Sequence, residues 1–169
     1  SMSSIQVRPA TLRDAKAIAQ IHTIAAQEAY QGIVPDEQLK SLSVEKRQAY
    51  WREAIEYCEP QVQVAVEDEK VIGFVGYDRS RDEKSRPTTG EIWAIYAAPT
   101  HWDKGVGLAL WDAARDGLQE EGCTLPVVVI TAHGDVAAAR QAFLNDAVDF
   151  LEKPFEQEQL LQAVDAAMA

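Results

Sequence analysis

The sequence predicts an α/β fold with a single mixed sheet. Valine recurs at every second position along residues 61–66, an apolar run follows at 71–77, and only the polar residues 67–70 separate the two, which is the pattern of an antiparallel β-hairpin. A continuous β-branched run follows much later, at 127–130, and such runs are typical of strands buried on both faces of a parallel sheet. We therefore expect antiparallel strands in the first part of the chain and a parallel βαβα continuation in the last.

Local signals place the other elements of the first part. Residues 5–8 alternate in polarity and predict an edge strand that ends at Pro9. Thr11 then caps a helix whose apolar residues recur at helical spacing towards Ala25. Ser43 caps a second helix, which ends before the hairpin. Two helices are therefore expected between the edge strand and the hairpin.

The composition excludes several classes of function. The chain has 169 residues, of which 47% are hydrophobic, and a net charge of −11. This is enough for one core, but the acidity disfavours a nucleic-acid partner because phosphate binding needs a basic surface. No apolar run approaches the roughly 20 residues of a membrane span, so we expect no membrane partner. Cys58 and Cys123 are far apart and no His or Cys has metal-ligand spacing, so we expect a cytoplasmic protein without a metal.

The stretch with the strongest functional signal is a strand that leads through a glycine-bearing loop into a helix. The strand is predicted at 91–97 and ends before Pro99, Gly105 and Gly107 follow, and the helix runs from about 107 to 121. Glycines let the backbone approach an anion closely, and a helix N-terminus attracts negative charge. Taken alone, the pattern is equally that of a tight strand-to-helix turn without a ligand.

The same stretch resembles the acetyl-CoA-binding signature of the GNAT superfamily of N-acetyltransferases. In that signature a strand ending near proline leads to Q/R-x-x-G-x-G/A, which residues 102–107 match. Residues 7–10, 14–15 and 29–35 also fit the pattern of the family. The resemblance covers residues 5–122 and implies a GNAT-like fold for this part of the chain.

The resemblance also implies acetyl-CoA as co-substrate and a small amine or peptide amine as acceptor. Backbone N–H groups of residues 104–107 are expected to hold the diphosphate, and backbone groups of 95–97 to bond the pantetheine arm like an added strand. Trp102 stands where Gln or Arg is common, and Asp103 brings a negative charge towards the phosphates. The expected cofactor-binding residues are Ile95, Tyr96, Ala97, Trp102, Asp103, Lys104, Gly105, Val106 and Gly107.

Acetyl transfer to an amine needs a base, because the attacking amine must lose a proton. By the resemblance the candidate is Glu91, early in the strand beside the thioester; the alternative is an ordinary strand carboxylate that faces solvent. The tyrosine that often protonates the leaving thiolate in this family has no counterpart, since no tyrosine follows Tyr96 and the nearest equivalent is Phe143. We therefore expect an N-acetyltransferase-like protein whose catalytic competence is open.

The last part of the chain resembles a different family, the receiver domains of response regulators. Residues 126–135 match their fourth strand and the loop after it, and residues 147–155 match their fifth strand and the Lys-Pro that follows. In an intact receiver the residues matching Thr131 and Lys153 contact a phosphoryl group. The front half of a receiver, with its acidic pair and acceptor aspartate, is absent, so we expect both residues to be idle.

The two resemblances predict a chimera, with a GNAT-like portion at 1–122 and a receiver-like C-terminal half at 123–169 that complete one sheet. Three functions remain open: a working N-acetyltransferase, a CoA-binding module with impaired catalysis, and an engineered or recombined chain with no evolved activity. A phosphorylation-driven receiver is disfavoured because the acceptor aspartate is missing. A homodimer is a further possibility, since the matching receiver elements form a dimer face in their own family.

Overall fold

The computed structural model describes residues 4–30, 36–37, 43–79, 89–102, 104–131 and 149–152, and only the backbone of residues 26, 29, 30, 124–131 and 149–152. The strands of this part of the chain form one sheet of six strands in sequence order. They are β1 (Gln6–Pro9), β2 (Gln61–Glu67), β3 (Lys70–Arg79), β4 (Thr89–Ala97), β5 (Thr124–Thr131) and β6 (Asp149–Glu152).

The sheet is mixed, as predicted. Strands β1 to β4 pair antiparallel with their neighbours, whereas β4 pairs parallel with β5 and β5 parallel with β6. The predicted hairpin is β2 and β3, joined by a tight turn in which Asp68 and Glu69 have φ angles of 50° and 66°. The two helices of the predicted βαβα continuation fall in residues 132–148 and 153–169, outside the described residues.

Three helices of the described chain cover the sheet: α1 (Ala15–Tyr30), α2 (Val44–Tyr57) and α3 (Val106–Glu120). Ser43 caps α2 by accepting a hydrogen bond from the Lys46 N–H at 3.2 Å, as the sequence predicts. The predicted first helix is preceded by a short 3₁₀ turn at Leu12–Asp14. A second 3₁₀ turn, Pro99–His101, joins β4 to the loop before α3.

The start of the first helical segment is held by a capping box and an ion pair. Asp14 accepts a hydrogen bond from the Thr11 N–H at 2.8 Å, and the Arg8 guanidinium lies 2.8 Å from the same carboxylate. Burial raises the pKa of Asp14, but the hydrogen bonds from Arg8 and Thr11 outweigh this effect and leave the pKa below its ordinary value. The Asp14 carboxylate thereby connects Arg8 of β1 to the 3₁₀ turn that precedes α1.

Each face of the sheet has its own core, and β4 contributes to both. On one face α3 buries Leu110, Trp111 and Leu118 against a cluster that includes Ile92 and Ile95 of β4. On the other face α1 and α2 pack over a separate cluster, which comprises Ile18, Ile21, Ala25, Trp51, Ala54, Val62, Val64, Phe74, Ala94 and Tyr96. Burial of β4 on both faces fixes the strand on which the predicted site depends.

Candidate functional site

The pairing of β4 with β5 covers only the first part of β4. The two strands pair in parallel from Thr89–Thr124 to Ile92–Val129. Within the described residues their pairing then ends, although β4 continues to Ala97 and β5 continues beside β6 to Thr131. We call the region beside residues 93–97 of β4 the strand gap. It begins in the middle of β4, a strand whose residues are mostly buried.

A β-bulge lies where the strand gap begins. Gly76 of β3 pairs with Ala94 and Tyr77 pairs with Ile92, so Trp93 is an extra residue in β4. Bulges bend a strand and change the direction of its side chains. Here Ile92 lies in the α3 cluster whereas Ala94 lies in the opposite one. The bulge therefore reverses which side chains of β4 face α3, at the position where the strand separates from β5.

Glu91 is a buried carboxylate just before the bulge. Its neighbours on β4 face α3: Ile92 belongs to the α3 cluster, and a β-carbon on Gly90 would lie 2.8 Å from Leu118 Cδ1. Alternation along the strand places Glu91 on the face of α1 and α2. Its residue exposure is 1%, so the alternative of a solvent-facing strand carboxylate is wrong. Asp78 is its partner across β3.

The N-terminus of α3 lies just beyond the carboxyl end of β4. Gly105 caps it with a φ of 82°, in the left-handed region that glycine adopts without strain. A β-carbon on Gly73 of β3 would lie 2.8 Å from Val106 Cγ1, so the first turn of α3 packs directly on the sheet. Lys104 is exposed, and the first turn contains no acidic residue. This helix start places the positive end of a helix dipole beyond the carboxyl end of β4.

The loop before α3 is tied to three strands. The Ala98 N–H donates to the Ile72 carbonyl at 2.8 Å, and His101 Nε2 lies 3.1 Å from Glu67 Oε1. The indole N–H of Trp102 donates to the Ala97 carbonyl at 3.0 Å. The sequence indicates the loop through its glycines, but no pattern in it predicts a side-chain bond from Trp102 to the end of β4.

The predicted cofactor residues come together at this one end of the sheet. Residues 95–97 flank the strand gap, and Trp102, Lys104, Gly105, Val106 and Gly107 form the loop and the helix start that follow. Asp103 lies outside the described residues. Of the two receiver-like positions, Thr131 ends β5 opposite Glu152 of β6, and Lys153 lies outside the described residues.

A polar and aromatic group that the sequence does not single out packs on the α1–α2 face of β4. His22 of α1 lies with its ring 4.7 Å from that of Tyr96. Its Nδ1 accepts a hydrogen bond from the Trp51 indole N–H at 3.0 Å. A guanidinium nitrogen of Arg47 lies 2.7 Å from its Nε2. The sequence offers no signal for this group, because its members come from two helices and a strand.

Two other classes of site have no counterpart in the part of the chain that the structure describes. Within these residues, no three His, Cys, Asp or Glu side chains gather closely enough to hold a metal ion. Among the described helices, none combines the length and the apolar character that a membrane crossing requires.

A mixed sheet with helices on both faces and a glycine-capped helix after β4 defines an α/β protein. The family model for acetyltransferases of the GNAT family matches residues 19–144, well over half of the chain. The chain belongs to the GNAT acetyltransferase family.

Solved structures give the same fold. PaiA N-acetyltransferase from Thermoplasma acidophilum, solved in complex with coenzyme A, is 18% identical and superimposes with a TM-score of 0.67, covering 84% of this chain and 88% of its own. At this identity the likeness shows the fold alone. YncA from Salmonella typhimurium, solved with its cofactor acetyl-CoA, is 26% identical with a TM-score of 0.56, over 71% of this chain and 66% of its own.

The chain also matches curated transcriptional regulatory proteins. The C4-dicarboxylate transport transcriptional regulatory protein DctD from Pseudomonas aeruginosa is 51% identical over 51 residues, which are 30% of this chain. The chain spans about a tenth of the length of that relative, 11%. This match is consistent with the receiver-like segment that the sequence predicts.

Proposed function

We propose that the protein transfers an acetyl group from acetyl-CoA to a small amine or a peptide amine. The observation that carries the proposal is the strand gap, which opens after Ile92–Val129 and leads along β4 to the glycine-capped start of α3. A long ligand with an anionic end fits such a site, and acetyl-CoA has an extended pantetheine arm and a diphosphate. That PaiA and YncA were solved with CoA or acetyl-CoA supports the same choice of ligand.

The diphosphate end is assigned to residues 104–107. Gly105 in its left-handed conformation lets the backbone N–H groups of the loop and of the first helical turn face the same anion. A β-carbon at Gly105 would find no atom within 4 Å, so this position is open to a ligand. The exposed Lys104 adds a positive charge in a chain whose net charge is −11.

The pantetheine arm is assigned to the strand gap. Parallel pairing with β5 stops at Ile92 in the described chain, and we propose that the arm runs extended beside residues 95–97 and bonds to their backbone as an added strand would. The thioester then lies near the bulge at Trp93, deep in the gap and close to Glu91.

Glu91 is assigned as the base. Acetyl-CoA supplies an activated acetyl thioester, and an ammonium acceptor must first lose a proton. The Glu91 carboxylate is buried on the face of β4 that carries the bulge, and we assign the proton transfer to it directly or through one water. A carboxylate screened from bulk solvent interacts more strongly with a cationic amine than an exposed one does.

The chemistry of the leaving group reduces the need for an acidic tyrosine. No tyrosine follows Tyr96 in the chain. A free thiol has a pKa of about 8.5, so a thiolate leaves far more readily than an amine and takes its proton from water. Impaired catalysis with intact CoA binding is the second candidate function, and the missing tyrosine is the observation that favours it.

We further propose that residues 1–122 form the GNAT-like portion and that residues 123–169 are of receiver ancestry. Strands β5 and β6 of this second portion extend the sheet in parallel and form the far side of the strand gap. On this account Thr131 and Lys153 are inherited positions without a phosphoryl group to bind, and the homodimer stays a prediction.

An amine-dependent thiol-release assay tests the proposal. The protein is mixed with acetyl-CoA and a panel of alkylamines, polyamines and lysine-containing peptides, and free CoA is measured with a thiol reagent. Because Cys58 is exposed, its reaction with the reagent is subtracted using protein alone. The proposal expects thiol release that depends on one class of amine, with the acetylated amine detected by mass spectrometry. Release that is the same without any amine would contradict acetyl transfer, and binding without release would favour the second candidate.

A further inference from the structure

The indole of Trp102 links the two halves of the proposed acetyl-CoA site. Its N–H donates to the carbonyl of Ala97, the last residue of β4, at 3.0 Å. Its ring is partly buried against the core cluster under α3. Ala97 belongs to the strand that flanks the strand gap, and Trp102 begins the loop that leads to Gly105.

The segment between Ala97 and Trp102 is rigidly held. The Ala98 N–H bonds to Ile72 of β3 and the Trp102 N–H bonds to the Pro99 carbonyl at 3.3 Å. On the far side of the loop, Val106 is fully buried and packs against the backbone of β3 at Gly73. Trp102 and Val106 are thus both anchored to the sheet, whereas Lys104 and Gly105 between them are exposed.

We infer that Trp102 is a positioning residue that sets the distance between the pantetheine strand and the diphosphate loop; the inference rests on the proposed function. A single ligand spans both parts of the site, so a loop held at the right distance from β4 loses less conformational entropy when the ligand binds. The side chain does this through its N–H and without contacting the diphosphate. The role assigned to it is therefore distinct from the main-chain contacts of residues 104–107.

Replacement of Trp102 by Phe removes the N–H and keeps a six-membered aromatic ring. W102F is expected to raise the dissociation constant for CoA about five-fold, the effect of losing one net hydrogen bond. The matched control is W51F, which removes an indole N–H donated at the same 3.0 Å, to His22, on the opposite face of the sheet. W51F is expected to lower the melting temperature and to leave CoA binding unchanged.

A second pair of variants tests the N–H without the ring. Gln places an amide nitrogen at the same number of bonds from Cβ as the indole nitrogen, whereas Met has a similar length and no N–H. W102Q is expected to bind CoA about five-fold more tightly than W102M. This comparison keeps the inference testable if W102F does not fold.

Titration calorimetry with CoA on all five proteins separates the outcomes. The inference is overturned if W102F and W102M bind CoA as tightly as the proteins that keep the N–H, or if W51F loses as much affinity as W102F. If the wild type binds CoA and either of these outcomes is observed, only the role of Trp102 is overturned. Absence of binding by the wild type overturns the proposed function as well.

Discussion

Ile92 and Val129 are the last residues through which β4 and β5 pair in the described chain. One residue later on β4 comes the extra residue of the bulge, Trp93, and one residue earlier comes the buried Glu91. Strand separation, bulge and buried carboxylate therefore coincide within three consecutive positions. The thioester of the proposed co-substrate is therefore expected to lie near these three positions.

Glu91→Gln is expected to abolish most turnover while leaving the binding of acetyl-CoA intact. The amide cannot accept the proton of the acceptor amine, and loss of a general base lowers kcat by about 100-fold or more. Steady-state thiol release and titration calorimetry measure the two effects. D78N is the matched control, since Asp78 is the cross-strand partner of Glu91 and its Oδ1 accepts from the Arg79 N–H. Equal turnover in E91Q and wild type would contradict the assignment of Glu91 as the base.

Gly105→Ala is expected to weaken CoA binding through backbone strain. A φ of 82° is unfavourable for alanine by about 1 kcal/mol, and no neighbouring atom clashes with the added carbon. Gly122 at the other end of α3 has a φ of 84° and equally open surroundings, so G122A is expected to lose similar stability without affecting the ligand. Urea unfolding and calorimetry compare the two. If both variants bind CoA like the wild type, the glycine loop does not hold the diphosphate.

Gly73→Ala is expected to lower the free energy of unfolding by about 1–3 kcal/mol, the usual effect of overpacking. The added carbon would lie 2.8 Å from Val106 Cγ1 and 3.0 Å from the backbone oxygen of Tyr96. Val106→Ala removes the first of these contacts, so the double variant G73A/V106A should be more stable than the sum of the single losses predicts. Urea denaturation of the four proteins forms the cycle. Strictly additive losses would show that α3 does not press on β3 at this point.

Asp14→Asn is expected to destabilise the protein at neutral pH by about 1–2 kcal/mol, because it weakens the capping box and the contact with Arg8. The folded-state pKa of Asp14 lies below its ordinary value of 3.8, so its charged form contributes stability above that pH. This contribution is lost as the pH falls through the folded-state pKa. The difference in unfolding free energy between wild type and D14N should therefore shrink below about pH 4.

Urea unfolding at a series of pH values measures that difference. Asp112→Asn supplies the control, because the Asp112–Arg115 pair spans 3.5 Å with the carboxylate half exposed and exposed pairs contribute little. A difference for D14N that stays constant down to pH 3 would contradict the role assigned to the Asp14 charge.

Much of this fold is predictable from the sequence, because its signals are local. The alternation of residues 61–66 and the apolar run at 71–77 predict the β2–β3 hairpin. Ser43 predicts the start of α2, and the glycines after Pro99 predict the turn into α3. These features depend on periodicity and on backbone conformations that single residues favour.

The geometry of the site depends on contacts between distant residues, and these leave no local pattern. The bulge at Trp93 arises from the pairing of β4 with β3. The end of pairing at Ile92 arises from the course of β5 beside β6. The bond from Trp102 to Ala97 joins a loop to a strand end. The family resemblance indicates which residues belong to the site, but it does not supply these contacts.

Isothermal titration of the wild-type protein with acetyl-CoA tests whether the strand gap and the glycine loop form a binding site for this co-substrate. Saturable binding at one site per chain is expected, accompanied by an increase in melting temperature. The absence of both heat and a thermal shift at high acetyl-CoA concentration would contradict the proposed function, because acetyl-CoA is the ligand assigned to the strand gap and the glycine loop.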